Sequence, residues 1–408
     1  MANGLYESDF EETTIERLKR IGYNYLHATE LFGGRESVRD VVLRDRLEGF
    51  LRRKYPSLPS EQIPILVSLF MNPDGVTNQQ RNERFHEVLT KGFTFSWEEG
   101  IQRKFEHVFP IDWENHHAND FLVVNQLSID GRFSRRPDII VYVNGFPLVV
   151  FELKSPYNKQ ATVDDAYIQI TNYTNDIPQL FTYNAFSVIS DNLETLHGIP
   201  GAPIEYFAAW KSIDGRTVDN NVANTMKTLI DGLFPKERLL DYIRYFLVYM
   251  KDGEKRYKIG GKYHQFFGVK FAVQETIRAT RPEGNRKIGV IWHTQGSGKS
   301  ISMLFFAGMI KNYPDMNNPS IVIQVDRADL DQQLHDTFEE GRNLVGNIHH
   351  AKSADQLREM LKNEAGQIIF STIEKFRLKK EKTEGEESKN EIEHPVLSER
   401  RNIVVISD

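Results

Sequence analysis

Residues 136–154 read Arg-Pro-Asp-Ile-Ile-Val-Tyr-Val-Asn-Gly-Phe-Pro-Leu-Val-Val-Phe-Glu-Leu-Lys. Two runs rich in valine and isoleucine, Ile139–Val143 and Leu148–Leu153, predict a pair of buried strands. Asn144 and Gly145 between them form the dipeptide most typical of a tight hairpin turn. The stretch therefore predicts a β-hairpin inside a mixed α/β fold.

The register of this hairpin decides whether its acidic residues can act together. Side chains alternate along a strand, so Glu152 and Lys154 share one face. A two-residue loop would place Asp138 opposite Phe151, with Glu152 on the other face. A three-residue loop, or an equivalent bulge, places Asp138 opposite Glu152. We therefore predict the second register if the acidic residues form a site.

Two carboxylates beside a lysine are the minimal equipment for metal-dependent hydrolysis of a phosphodiester. Asp138, Glu152 and the backbone carbonyl of Leu153 are oxygen donors of the kind that Mg²⁺ prefers. Lys154 positions the attacking water or stabilises the developing negative charge. The alternative is a solvated strand end, because Glu-x-Lys occurs by chance in many chains. The preceding Pro-Asp at hairpin distance favours the metal site, and Asp138, Glu152 and Lys154 are the predicted catalytic residues.

Other residues are candidates for completing this site. A predicted helix over residues 163–175 places Gln169 and Tyr173 one turn apart, suited to positioning a phosphate or a base edge. Such a pair is equally common on ordinary helix surfaces. An acidic residue on the preceding helix often completes sites of this kind, and the sequence does not choose among the candidates Glu12, Glu16 and Glu30.

The charge distribution favours a local nucleic-acid groove over general nucleic-acid coating. The net charge of −6 argues against indiscriminate binding, but phosphate contacts depend on where basic residues cluster. Arg132, Arg135 and Arg136 cluster just before the predicted metal aspartate. We assign Arg135 and Arg136 to DNA positioning, with a solvated basic loop as the alternative.

A second motif follows a predicted strand over Lys287–Trp292. In the run from His293 to Ser300, glycines let backbone N–H groups close around a phosphate, while Lys299 bridges phosphates and Ser300 ligates Mg²⁺. The chain ends in an apolar strand and Asp408, as a Walker B strand presents its Mg²⁺-organising carboxylate. Gln265 is a candidate for the adenine edge. The predicted ATP-binding residues are Gln265, Thr294, Gln295, Gly296, Ser297, Gly298, Lys299, Ser300 and Asp408.

Length and composition bound the class of protein. The 408 residues exceed one ordinary domain, and 40% hydrophobic with 26% charged residues is typical of a globular protein. No apolar run approaches the roughly 20 residues that span a bilayer, and no secretory signal is visible at the start. Cysteine is absent, which excludes disulfides and thiolate metal sites and favours a reducing cytoplasm.

Local patterns predict the remaining organisation. Ser8 followed by Glu11 indicates a helix N-cap, and further helices are expected over residues 37–54 and 237–250. Residues 204–210 are a strand candidate. In the last third, strands predicted over residues 320–325, 367–372 and 403–407 alternate with helices, one of them over residues 328–338, which predicts a parallel sheet. The polar run between Leu378 and Glu393 predicts a mobile insertion. The predicted domains are a nuclease domain at 1–240, a linker region at 241–262 and a truncated ATP-binding lobe at 263–408.

These motifs occur in a characteristic order along the chain. They are Asn119-Asp120-Phe121, Arg136-Pro137-Asp138, Glu152-Leu153-Lys154, Gln169-x-x-x-Tyr173, Trp292 to Ser300, Asp326-Arg327 with Leu330, and Ser371-Thr372. From about Ser8 to Asp408, this order resembles the N-terminal part of the R subunit of type I restriction enzymes. His293, where many phosphate loops have Gly or Ala, resembles that family's own variant.

The resemblance implies a PD-(D/E)xK-type endonuclease domain fused to a superfamily 2 helicase-like motor with a RecA-like lobe. It implies Mg²⁺ and ATP as cofactors, double-stranded DNA as substrate, and modification and specificity subunits as partners. A full-length family member pumps DNA with ATP and cuts far from its recognition site. Because the sequence ends at the first residue of the expected Asp-Glu-x-His box, we expect a truncated first lobe and no second lobe.

Two other interpretations stay open. The chain could be a non-catalytic fragment that folds and binds DNA or ATP without reacting alone. It could also be an independent ATPase with an incidental acidic site. The second interpretation is disfavoured because motors of this kind complete their ATP site with groups from both lobes.

Overall fold

A computed structural model describes the chain except for a few short stretches. The described residues are 2–31, 35–154, 162–253, 255–292, 294, 296–326, 328–363, 366–378 and 396–408. They form two compact units. The first unit comprises Met1–Leu247 with Lys258–Tyr263, and the second comprises Val248–Tyr257 with His264–Asp408.

Helices and strands alternate along both units, as the mixed α/β prediction requires. The helices are α1 (Ala2–Arg20), α2 (Arg44–Lys54), α3 (Ile63–Met71), α4 (Asn78–Lys91), α5 (Val163–Asp176), α6 (Pro178–Phe181), α7 (Thr225–Leu233), α8 (Lys236–Tyr245), α9 (Tyr263–Thr280), α10 (Lys299–Lys311), α11 (Ala328–Glu340), α12 (Arg342–Val345) and α13 (Ala354–Lys362). The strands are β1 (Asn24–His27), β2 (Phe93–Glu99), β3 (Gln102–Val108), β4 (Phe121–Asn125), β5 (Ile129–Asp130), β6 (Ser134–Arg135), β7 (Ile139–Val143), β8 (Phe146–Leu153), β9 (Phe186–Ser190), β10 (Thr195–Gly198), β11 (Ala208–Ala209), β12 (Leu247–Asp252), β13 (Lys255–Gly260), β14 (Ser320–Val325), β15 (Ile348–His350), β16 (Ile368–Thr372) and β17 (Ile403–Ser407).

A seven-stranded sheet is the core of the first unit, in the order β1-β4-β7-β8-β9-β10-β11. Every residue of β7 and β8 is buried, which is the pattern of strands covered on both faces. Helices α1 and α5 both pack against β8. The predicted hairpin therefore lies at the centre of the sheet, and its open end is framed by two helices.

The hairpin register matches the register that the acidic site requires. Asn144 and Gly145 form a two-residue turn, both with positive φ, as a type I′ turn demands. The pairing of Val141 with Val149 shifts to Tyr142 with Pro147, which leaves one extra residue on β8. Proline has no N–H for the ladder and suits such a bulge. The predicted bulge is confirmed.

This bulge restores the alignment that a two-residue turn alone would lose. Ile139 pairs with Phe151, and continuing by one residue places Asp138 opposite Glu152. A side-chain contact supports this register, since the Leu153 N–H donates a hydrogen bond to Asp138 Oδ2 at 2.7 Å.

Three local predictions in the first unit are wrong in their boundaries. Helix α1 begins at Ala2, so Ser8 is inside the helix and the predicted cap is wrong; the Ser-x-x-Glu pattern also fits a helix interior. Residues 204–210 form a 3-10 turn and the two-residue strand β11. The helix predicted over 37–54 starts only at Arg44.

Residues 237–262 contain more helix and strand than a polar linker region would have. The helix predicted over residues 237–250 ends at Tyr245, and β12 follows from Leu247. Strand β13 pairs with β12 in a separate two-stranded sheet. The apolar run 247–250 is compatible with helix or strand periodicity, and pairing with β13 selects the strand.

The second unit is built around a four-stranded parallel sheet in the order β15-β16-β14-β17. The predicted strands over residues 320–325 and 403–407 are confirmed, as is helix α11. The strand predicted over Lys287–Trp292 is wrong, because these residues have no strand conformation. Val290 and Trp292 are exposed, and no described strand pairs with the segment. The predicted insertion lies largely outside the described residues.

Candidate functional site

An open cleft of ≈ 680 Å³ in the first unit brings the predicted acidic residues together. Asp138 and Glu152 line it from the hairpin, Gln169 lines it from α5, and Arg136 lines its margin. Helix α1 forms a further wall. The sequence prediction that these residues share one site is thus matched by their positions in the fold.

The two carboxylates occupy a partly buried, electrostatically crowded position. Glu152 is buried, with its side chain 1% exposed. Burial raises the pKa of Asp138 well above its ordinary value, and the neighbouring Glu152 carboxylate raises it further. The Leu153 N–H and Lys154 act in the opposite direction. Two neighbouring acids in a low-dielectric site favour a cation beside them.

Lys154 is held in place by two neighbours. Its Nζ donates hydrogen bonds to Glu152 Oε1 and to Gln169 Oε1, both at 2.7 Å. Gln169 Nε2 in turn donates to the Tyr173 hydroxyl at 2.6 Å. Tyr173 is buried, and burial raises the pKa of its hydroxyl. Tyr173 therefore braces Gln169, and Gln169 braces Lys154.

The donor chemistry fits a divalent ion with hard-oxygen preference. Asp138 has a second carboxylate oxygen beyond the one that accepts the Leu153 N–H, and Glu152 and the Leu153 carbonyl lie beside it in the register. Among the described residues, no group of three or more His, Cys, Asp or Glu side chains is close enough to hold a metal. Asp138, Glu152 and the Leu153 carbonyl offer two carboxylates and a backbone carbonyl, a set that suits an ion that retains several waters.

Glu11 is the buried one of three acidic α1 residues that line this cleft, and sequence reasoning missed it. Its carboxylate is buried and accepts hydrogen bonds from Asn125 Nδ2 at 2.6 Å and from Gln126 Nε2 at 2.7 Å. Glu12 is exposed beside it, although both line the cleft. Asn125 and Gln126, two polar residues at the carboxyl end of an apolar strand, indicate that a polar partner lies there, but the sequence does not show that the partner is Glu11.

Gln126 has a strained backbone at the edge of the cleft. Its φ is 57°, a left-handed conformation that non-glycine residues seldom adopt. Its N–H donates to the Asp138 carbonyl at 3.1 Å, and its side chain donates to Glu11. Such strain concentrates at functional sites. The hydrogen bonds of Gln126 tie β4, α1 and the residue before β7 together.

The other two predicted N-terminal acids lie in different places. Glu16 lines the cleft, and the Glu30 carboxylate accepts a hydrogen bond from the His27 N–H.

The predicted DNA-positioning arginines have different surroundings. Arg136 is exposed and lines the cleft. Arg135 forms an ion pair with Asp176, whose carboxylate is at 2.6 Å from Nη2. The Arg135 charge is thus largely matched within the fold, whereas the Arg136 charge is available to an anionic ligand.

The phosphate loop of the second unit has the local geometry that glycine permits. Gly296 and Gly298 have positive φ, and Gly298 precedes the first turn of α10. Ser297 closes the loop because its N–H and its hydroxyl both donate to the Thr294 carbonyl. His293 and Gln295 lie outside the described residues.

Lys299, Asp408 and Gln265 meet around this loop. Lys299 Nζ forms an ion pair with Asp408, so the predicted phosphate-binding cation and the predicted Mg²⁺-organising carboxylate lie together. Gln265 Nε2 donates to the Gly298 carbonyl at 3.1 Å, and Gln265 therefore contacts the loop backbone from α9. Ser300, in the first turn of α10, is half-buried.

Comparisons with known proteins match both units. Residues 4–203 match the family described as Type I restriction enzyme R protein N terminus, and residues 264–408 match the family described as SWI2/SNF2 ATPase. No helix of the described residues is long and apolar enough to cross a membrane.

Endonuclease subunits from two organisms are similar over nearly the whole chain. The Type I restriction enzyme HindI endonuclease subunit of Haemophilus influenzae is 39% identical over 416 residues, covering 99% of this chain. The putative type I restriction enzyme MjaIXP endonuclease subunit of Methanocaldococcus jannaschii is 36% identical over 426 residues, covering 98% of this chain. This chain spans 39% of the length of each of these two relatives.

Proposed function

This chain belongs to the R-subunit family of type I restriction enzymes and corresponds to an N-terminal portion, and from this premise we propose that its first unit is a metal-dependent DNA endonuclease of the PD-(D/E)xK type. The observation that carries the proposal is the bulged hairpin, which aligns Asp138 with Glu152 despite a two-residue turn. The Lys154 contact with Glu152 adds the third member.

Each residue of the cleft has a role in this proposal. Asp138, Glu152 and the Leu153 carbonyl would hold Mg²⁺. When bound, the ion supplies positive charge against the scissile phosphate and lowers the pKa of a water. Lys154 holds a proton on Nζ and donates hydrogen bonds to the attacking water or to a phosphate oxygen. Glu11 is placed to accept hydrogen bonds from waters in the cleft.

The supporting residues orient this chemistry and the substrate. Gln169 fixes the direction of Lys154 through its amide oxygen, and the buried Tyr173 fixes Gln169. Arg136 at the margin offers a cation to the DNA backbone, where arginine contacts set register without reading sequence. Double-stranded DNA is therefore the proposed substrate.

We further propose that the second unit is part of a RecA-like ATP-binding lobe. Its parallel sheet presents Asp408 at the carboxyl end of β17, beside Lys299 at the N-terminus of α10. Helix N-termini and backbone N–H groups of glycine loops favour phosphates. We propose translocation coupled to ATP, and assembly with modification and specificity subunits, only for an R subunit of the length of these relatives.

Nicking of supercoiled plasmid by the purified chain with Mg²⁺ or Mn²⁺ tests the nuclease proposal. We expect nicking by the wild type and its loss, on the order of a hundredfold or more, in Lys154→Ala, because a charge-stabilising group is removed. Lys91→Ala, which removes a half-exposed lysine at the end of α4, is the control and should nick like the wild type. Equal nicking by wild type and Lys154→Ala would contradict the assignment.

A further inference from the structure

The hairpin formed by β5 and β6 carries an exposed aromatic side chain between basic residues. Its three-residue loop is Gly131, Arg132 and Phe133. The Phe133 side chain is 64% exposed, and Arg132 and Arg136 on either side of it are exposed too. A single exposed phenylalanine is ordinary on a surface, but this one stands at a loop tip with cations around it.

The loop is held firmly against the end of α5. A Cβ on Gly131 would be 2.0 Å from the Asp176 carbonyl oxygen, so only glycine permits this approach. The Arg132 N–H donates to that carbonyl at 2.7 Å, and Arg135 Nε donates to the Asp176 carboxylate at 2.7 Å. These contacts fix the loop before any ligand arrives, so Phe133 can enter a partner at little conformational cost.

The same helix links the loop to the acidic cleft. Gln169, which lines the cleft, precedes Asp176 by seven residues on α5, a rise of ~10 Å along the helix. Arg136, also in the cleft lining, follows the hairpin directly. DNA rises 3.4 Å per base pair along each strand, so for a duplex that lies along α5 this spacing corresponds to about three base pairs.

We propose that Phe133 inserts into the minor groove of the double-stranded DNA held at the acidic cleft, about three base pairs from the scissile phosphate. Arg132 and Arg136 would contact the flanking phosphates. Apolar side chains accompanied by arginine enter minor grooves in this way and partly unstack one base step. This inference rests on the proposed nuclease function and adds a substrate-distorting contact to it.

The insertion has a consequence for where the DNA is cut. Pyrimidine–purine steps, TA and CA/TG, are flexible and are easily kinked or unstacked. Nicks should therefore be enriched at a fixed offset of about three base pairs from TA and CA/TG steps. Such a preference needs no hydrogen bond to any base edge.

Binding to a duplex that contains 2-aminopurine tests the insertion without cleavage. With the full chain and Ca²⁺, we expect base-analogue fluorescence to rise on binding to wild type and to Phe133→Trp, whose ring keeps the stacking. Phe133→Ala should lose that rise and bind about tenfold more weakly, the scale of one lost base–aromatic contact. The matched control is Phe105→Ala, since the Phe105 ring is 61% exposed and lies beside Arg103, as the Phe133 ring lies beside Arg135.

The nick map provides the second arm. Wild type and Phe105→Ala should show the offset from pyrimidine–purine steps, and Phe133→Ala should nick evenly. Fluorescence and a nick map for Phe133→Ala that match the wild type would overturn the inference, as would an equal loss in Phe105→Ala. If nicking does not depend on Lys154, the nuclease proposal fails, whereas the fluorescence arm still decides whether Phe133 inserts.

Discussion

The acidic cleft of the first unit and the phosphate loop of the second unit differ in how far the fold alone assembles them. In the cleft, Glu152 is 1% exposed and Lys154 is bound by two side chains. In the loop, Lys299 is 52% exposed and its carboxylate partner is the last residue of the chain. Packing therefore fixes the lysine of the cleft, whereas the lysine of the loop is half-exposed and held by one ion pair among the described residues.

The cleft and the loop also differ in how their charges are balanced. The cleft gathers acids, and burial with Glu152 raises the pKa of Asp138, so a cation beside them relieves repulsion. In the loop, Lys299 and Asp408 neutralise each other. A nucleotide with its Mg²⁺ would have to replace that ion pair. We therefore expect the cleft to bind a divalent ion by itself and the loop to bind one only with nucleotide.

Lys299→Ala should give the largest difference between the two regions, with ATP binding weakened and nicking unchanged. Removing the phosphate-bridging cation should weaken ATP binding on the order of a hundredfold, because a charge-assisted contact to phosphate is lost. Nicking of plasmid by the same variant should equal that of wild type. Titration of a fluorescent ATP analogue, with the exposed Lys287→Ala as control, measures the affinity; lost nicking in Lys299→Ala would show that the regions are coupled.

Gly145→Ala should disturb the hairpin turn between β7 and β8, at the end of the hairpin away from the acidic cleft. A Cβ there would be 2.3 Å from the Leu43 carbonyl oxygen, in a backbone with φ +86°. Gly201 has a similar φ, +85°, with open space around it. We expect Gly145→Ala to lower the free energy of unfolding of the first unit by about 2 kcal/mol more than Gly201→Ala does.

Denaturant unfolding followed by tryptophan fluorescence measures this difference. Trp97, Trp113 and Trp210 lie in the first unit, and Trp292 lies in the second, so the signal reports mainly on the first. Equal destabilisation by the two substitutions would mean that the turn tolerates a side chain and does not enforce the register.

Glu11→Gln should have a smaller effect and a distinctive pH signature. Besides burial and Glu152, Glu11 raises the pKa of Asp138. Because metal binding needs ionised Asp138, nicking should rise with pH through that elevated pKa. Removing the Glu11 charge lowers the pKa, so the acid limb should move to lower pH, while the plateau rate falls about tenfold from lost water positioning.

The control for this prediction is Glu12→Gln, which removes an exposed carboxylate from the same cleft. Glu12→Gln should nick at close to the wild-type rate at every pH. An equal shift of the acid limb in both variants would assign the effect to general charge and not to Glu11.

The hairpin was predictable because local chemistry and chain geometry agree there. Asn144-Gly145 calls for a two-residue turn, and the shared face of Asp138 and Glu152 calls for one extra residue. A bulge at Leu148, next to Pro147, satisfies both. Glu11 was not predictable, because Glu11, Glu12 and Glu16 are close along one helix and only its packing shows which faces Asn125.

The second unit contains a segment whose sequence predicted the wrong structure. Residues 287–292 have the composition of a strand, yet a strand needs a hydrogen-bonding neighbour, and none of the described strands pairs with them. In contrast, β14 and β17 match their predicted bounds closely because each has a paired edge. Composition indicates which segments can form strands, and pairing decides which do.

Calorimetric titration of Mn²⁺ into the full chain without nucleotide tests the proposed metal site most directly. Wild type and Asp408→Asn should both bind the ion, because the carboxylates of the first unit remain intact. Asp138→Asn should lose this binding. Binding by Asp138→Asn equal to that of wild type would contradict a metal centre in the acidic cleft.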